Sequence, residues 1–216
     1  MLGFDLPTII ANIPALMIGF AFHEFAHAWV ADRLGDPTPR SQGRLTLNPI
    51  AHLDLFGTLM ALLYRFGWAK PVITNPQYYR GNKRRGHMMV ALAGPIMNLF
   101  MAFVVMFLWF LTMHWMGASE WSSIISLIFQ STVLMNLGLG IFNLLPIPPL
   151  DGFAVLGGLL PERFAPQLHV LEQYGMIILI VLLFTDILSK VLFPAVNGIA
   201  YAYQSIITLI LTPFLG

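Results

Sequence analysis

Gly19-Phe20-Ala21-Phe22-His23-Glu24-Phe25-Ala26-His27-Ala28-Trp29 places two imidazoles four residues apart, with a carboxylate beside the first. On a helix that spacing stacks His23 and His27 on one face, one turn apart, so both rings can reach a single metal ion. Glu24 points about 100° further round, within reach of a water held at that ion. From Leu6 to Val30 the chain carries no other charged residue. The apolar run from Pro7 to Ala31, about 25 residues, is long enough for a bilayer core of roughly 30 Å. A hydrolase-type metal motif therefore lies inside a membrane span.

Composition widens that reading to the whole chain. Of 216 residues, 57% are hydrophobic and 10% charged, against about 25% charged in soluble domains, and the mean hydropathy is +0.76. The expectation is an all-α polytopic membrane protein, one membrane-embedded domain over residues 1–216, with a core at 7–160 and accessory spans within 166–213. A net charge of +1 without an extended basic, aromatic-interleaved run gives no support for nucleic-acid binding. The absence of Cys excludes disulfides and thiolate zinc sites. The N-terminus has no basic region or small-residue cleavage site, so the first run reads as a retained span.

After this span, Asp32, Arg33, Asp36, Arg40 and Arg44 mark an exit into water. Gly35-Asp36-Pro37-Thr38-Pro39 and Asn48-Pro49 break helices. Gly43-Arg44-Leu45-Thr46-Leu47 alternates as a short strand would, and Lys70 to Pro76 looks like a second. Together they predict a small membrane-associated β-hairpin, either a free edge for an extended peptide or a plain surface hairpin. Between them, Leu53 to Tyr64 is too short to cross and predicts a re-entrant or interfacial helix. Arg65, Lys70, Arg80, Lys83, Arg84 and Arg85, with no acid among them, place this loop in the cytoplasm. Such a cluster sets topology and meets lipid head groups.

Four further spans are expected at His87–Met116, Trp121–Asn143, Leu168–Leu188 and Leu192–Leu211, with Ser189-Lys190 joining the last two. Ala93-Gly94-Pro95 allows close helix approach. Asn98 is an amide at membrane depth, which either pairs with a neighbouring helix or serves function. The third span ends in Asn143-Leu144-Leu145-Pro146-Ile147-Pro148-Pro149-Leu150-Asp151-Gly152. Three prolines in four residues cannot continue a helix, so the chain extends and restarts near Asp151. Apart from Glu24, Asp151 is the one acid with long apolar stretches on both sides, and it is the leading candidate for a third metal ligand. His52, Asp54, His87, His114 and His169 are alternatives; His52 and Asp54 stand out as an extra ligand or a gate.

Two His, a carboxylate and an open position fit one Zn²⁺ per chain. A water there becomes a nucleophile near neutral pH, with Glu24 as general base and Asn98 as a donor to the developing oxyanion, an effect of about 2.7–4 kcal/mol. The reaction class is metal-assisted hydrolysis of a peptide bond.

In this order, His23-Glu24-Phe25-Ala26-His27, Gly94-Pro95-Ile96-Met97-Asn98 and Asn143 through Gly152 resemble the site-2 protease family of zinc intramembrane proteases, in its compact bacterial subgroup without a PDZ domain. The resemblance implies that His23, His27 and Asp151 ligate zinc and that Glu24 is the catalytic acid/base. It also implies that Asn98 and Asn143 contact the substrate backbone or oxyanion. The substrate implied is a transmembrane segment of another protein, cleaved within the bilayer of the cell membrane near its cytoplasmic side. Two other functions compete: a metal-binding membrane transporter, whose cores also use proline-broken segments facing a buried acid, and an inactive protease-like binding protein. Glu24 and its spacing from the imidazoles argue against a carrier, which needs reversible ligands and no general base, and the intact His23, Glu24, His27 and Asp151 argue against an inactive protein.

Overall fold

The computed structural model describes residues 6–64, 67–117 and 119–215. The first five residues, and with them part of the N-terminal segment read as uncleaved, lie outside that range, as does Arg65 of the basic cluster. Eight α-helices are described: α1 (Leu6–Arg33), α2 (Thr38–Ser41), α3 (Leu55–Tyr64), α4 (Lys83–Met116), α5 (Glu120–Asn143), α6 (Asp151–Leu159), α7 (Ala165–Leu183) and α8 (Ile187–Leu215). Of these, α1, α4, α5, α7 and α8 are long and apolar enough to span a membrane. The chain is a multi-pass membrane protein.

Helices α1, α4 and α5 pack on one another, and α6 lies along α4. Small residues let them approach: Ala11, Ala15, Ala21, Ala26, Ala28 and Ala31 of α1 are all buried, as close packing in lipid requires. α8 adds Ile207 and Leu211 to a core with Ala102, Val105 and Met106 of α4 and Val133 and Leu137 of α5. α4 ends at Met116 and α5 starts at Glu120 under a capping box from Ser119 and Ser122. The triple-proline segment breaks the helix as expected, and α6 restarts at Asp151.

The expected hairpin does not form. Among the described residues no strand is present, and the single β-bridge pairs Leu53 with Ala69. Segment 70–75 has no regular secondary structure, and beyond the Lys70 N to His52 O bond side chains meet its backbone groups. Arg44 donates to the carbonyls of Ala51, Lys70 (3.3 Å) and Pro71 (3.1 Å). Val72 N donates to Glu24 Oε2 at 2.7 Å and Asn75 N to Asp36 Oδ2 at 2.6 Å. Backbone groups satisfied this way need no ladder.

Asp36 and Arg44, expected in water, are consequently buried. Burial also pushes the Tyr79 phenol, beneath the same loop, above its usual range. The water exit itself is marked by Asp32, which accepts from Arg40 at 2.9 and 2.8 Å. The last interhelical break also moves. It falls at Phe184 to Asp186, where Ser189 Oγ and Lys190 N donate to Asp186 O, so Ser189 and Lys190 belong to the first turn of α8.

Candidate metal centre

Counted from the end of α1 at Arg33, His23 lies ten residues in, about 15 Å. Gly94 of α4 lies eleven residues from Lys83, about 17 Å along its own axis. The two positions meet. An added Cβ at Gly94 would overlap both His23 (Cε1 at 2.6 Å, Nε2 at 2.7 Å) and His27 Nε2. Only the missing side chain lets α4 wall the imidazole pair.

Which nitrogen of each ring carries hydrogen follows from carbonyls, which can only accept. His27 Nδ1 is 2.7 Å from Val90 O, so Nδ1 is the donor. His23 is fixed through two amides in turn. Asn136 Nδ2 donates to Thr132 O (2.8 Å), which turns Asn136 Oδ1 toward Asn98. Asn98 Nδ2 donates to Gly19 O and to Asn136 Oδ1, both at 3.0 Å. Asn98 Oδ1 is left facing His23 Nδ1 at 2.5 Å, and His23 must donate. In its neutral form each ring therefore presents a bare Nε2 lone pair.

Those lone pairs converge. The Nε2 atoms are 3.0 Å apart, and Asp151 Oδ2 lies 3.2 Å from one and 3.3 Å from the other. Asp151 Oδ2 is buried without a hydrogen-bond donor. Three acceptors packed this closely repel unless a cation sits among them. Ligands held 2.0–2.1 Å from a tetrahedral ion lie about 3.3 Å apart, so the residues fit a divalent metal, and their two imidazoles and carboxylate suit zinc. Among the described residues this is the one such cluster of His, Asp or Glu.

Glu24 is buried beside the pair, its carboxylate fixed by the Val72 amide. The remaining expected residues divide. Asn98 gives both amide hydrogens to Gly19 O and Asn136 Oδ1 and accepts from His23 Nδ1. Asn143 donates one amide hydrogen to Leu139 O at 3.0 Å within its own helix. His52 is fully buried with Nε2 2.8 Å from Thr46 O, and its carbonyl accepts from Lys70 N. Asp54 caps α3 by accepting from Gly57 N at 2.8 Å. Both belong to the loop and lie outside the metal cluster; so do His87, exposed on α4, His114, edge-on to Trp115 at the far end of α4, and His169, exposed on α7.

Asn136 and the walling role of Gly94 were missed by the sequence reading. The only available signal for Asn136 was an amide seven residues before Asn143, two turns along one helix face.

Known proteins bear on this geometry. A profile described as Peptidase family M50 matches residues 111–185, which hold Asn143, the triple-proline turn and Asp151. "Putative zinc metalloprotease YwhC" of Bacillus subtilis is 42% identical over 186 residues, 85% of this chain and 84% of that one. "Putative zinc metalloprotease Rip2" of Mycolicibacterium smegmatis is 31% identical, covering 87% and 71%. "Putative zinc metalloprotease MJ0611" of Methanocaldococcus jannaschii is 30% identical, covering 71% and 73%. No solved structure matches the chain.

Proposed function

This chain belongs to peptidase family M50, the site-2 proteases, and is a zinc metalloprotease; from that premise we propose that it cleaves peptide bonds within transmembrane segments of other membrane proteins. One observation carries the assignment of the site: two Nε2 lone pairs and an unpartnered Asp151 oxygen converge within 3.3 Å, next to a buried Glu24. His23, His27 and Asp151 would hold the zinc. When bound, the ion supplies Lewis acidity and lowers the pKa of a coordinated water toward 7.

The remaining work falls to the chain. Glu24 accepts a proton and returns it to the leaving amine. The Val72 amide holds the carboxylate in place while it does so. Asn98 and Val90 O keep both imidazoles in the tautomer that presents Nε2. Asn143, whose amide donates to Leu139 O at the end of α5, would meet an unwound substrate backbone with its second amide hydrogen. A helical substrate hides its carbonyls, so helix-breaking residues near the scissile bond favour cleavage. The 1–216 chain acts as one domain in the cell membrane, its site toward the cytoplasm.

A carrier or an inactive binding protein would use the same ligands without Glu24. The test is purified protein reconstituted with a single-span substrate, wild type against Glu24→Gln. Cleavage should fall about 10²–10⁴-fold with zinc still bound, the range of general-base contributions. Equal cleavage by the zinc-loaded variant would refute the proposal.

A further inference from the structure

Asp151 is the first residue of α6, so the direction of that nine-residue helix sets where the third ligand sits. Its far end is held by Arg84 of α4. The Arg84 guanidinium donates to Gly157 O, with Nε at 2.7 Å, and to Leu160 O. These are carbonyls at the end of the helix, which have no partner within it. A cation there also meets the negative end of the helix dipole. At the same end, Gly158 lies so close to Met88 that an added Cβ would come within 2.5 Å of the Met88 Cβ. Among the described residues no carboxylate pairs with Arg84.

α6 is thus a short peg, pinned at its C-terminus and carrying a metal ligand at its N-terminus. It is about 13 Å long. Pivoting it by only about 1° displaces Asp151 by about 0.2 Å, the tolerance of a metal–ligand distance. We propose that Arg84 is a positioning residue for the metal centre, setting the direction of α6 and hence the place of the Asp151 carboxylate. A place in a basic cluster accounts for its charge, but not for a guanidinium spent on two helix-terminal carbonyls. The inference rests on the metal-site reading above.

The experiment measures Zn²⁺ affinity of the purified full chain by chelator competition, and the absorption spectrum of the Co²⁺-loaded protein. Arg84→Gln should weaken Zn²⁺ at least tenfold and move the Co²⁺ spectrum toward that of Asp151→Asn. Arg84→Lys keeps the charge without the fork and should recover only part of the affinity. Lys83→Gln and Arg85→Gln, which touch no α6 carbonyl, should bind like wild type. Gly158→Ala, which moves the same helix end without changing charge, should also weaken Zn²⁺ and serves if Arg84→Gln does not fold. Wild-type affinity in folded Arg84→Gln overturns the proposal, as does wild-type affinity in Gly158→Ala. Equal losses in Arg85→Gln would reduce Arg84 to one charge among several and overturn it too. A wild-type chain that binds no Zn²⁺ would instead refute the metal site itself.

Discussion

At Gly94 and Asn98, two residues one turn apart on α4, the site depends on groups that face the imidazole pair. Gly94 faces the two Nε2 atoms with no Cβ between, so Gly94→Ala forces the rings or α4 to shift. Zinc affinity should drop by at least about tenfold, read by chelator competition, with helicity unchanged. Asn98 separates two roles by measurement. If it positions His23, Asn98→Ala lowers zinc affinity about 10–100-fold. If it served as an oxyanion donor, kcat would fall about 10²–10³-fold at constant zinc affinity. The committed hydrogens to Gly19 O and Asn136 Oδ1 favour the first outcome.

Among the elements, the loop between α2 and α4 depends most on a few side chains. Arg44, 5% exposed, gathers carbonyls from Ala51, Lys70 and Pro71. A hydrogen bond to a charged group contributes about 1.5–3 kcal/mol, so losing this fork should release segment 70–75. Arg44→Met should raise limited proteolysis there at least about tenfold and lower activity, since Val72 no longer fixes Glu24, while zinc stays bound. The sequence could not expose this arrangement. A five-residue alternation reads the same whether its backbone groups meet a strand or a guanidinium, and charge alone sent Asp36 and Arg44 to water. The long spans were legible because length and hydropathy decide them locally. His23, Glu24 and His27 were legible because one helical turn brings them together. Asp151 stood out as an acid among apolar neighbours. Asn136, Gly94 and Arg84 act only across helices, and an amide, a glycine or one arginine among several carries no trace of its partner.

For the whole molecule, the depth of the site and the direction of the chain are one question. His23 and Gly94 lie about 15 and 17 Å from helix ends that both adjoin the 34–82 loop, and α6 returns Asp151 from that same side. If the loop is cytoplasmic, the expectation from Lys70, Arg80, Lys83, Arg84 and Arg85, then α1 enters from outside. The end of α4 at Met116, the start of α5 at Glu120 and the break at 184–186 are then external, and 161–164 is cytoplasmic. With no native Cys, single reporters test this without background. Arg80→Cys and Glu162→Cys should be protected from a membrane-impermeant maleimide in intact cells and react only after permeabilisation. Trp121→Cys and Phe184→Cys should react from outside without it. The opposite pattern would invert the chain and put the metal site in the outer leaflet. A mixed pattern would mean that one of the five apolar helices does not cross. Only the expected pattern sets Glu24 and the zinc ligands within about 15 Å of the cytoplasm, on the side of the loop that Arg44 ties together.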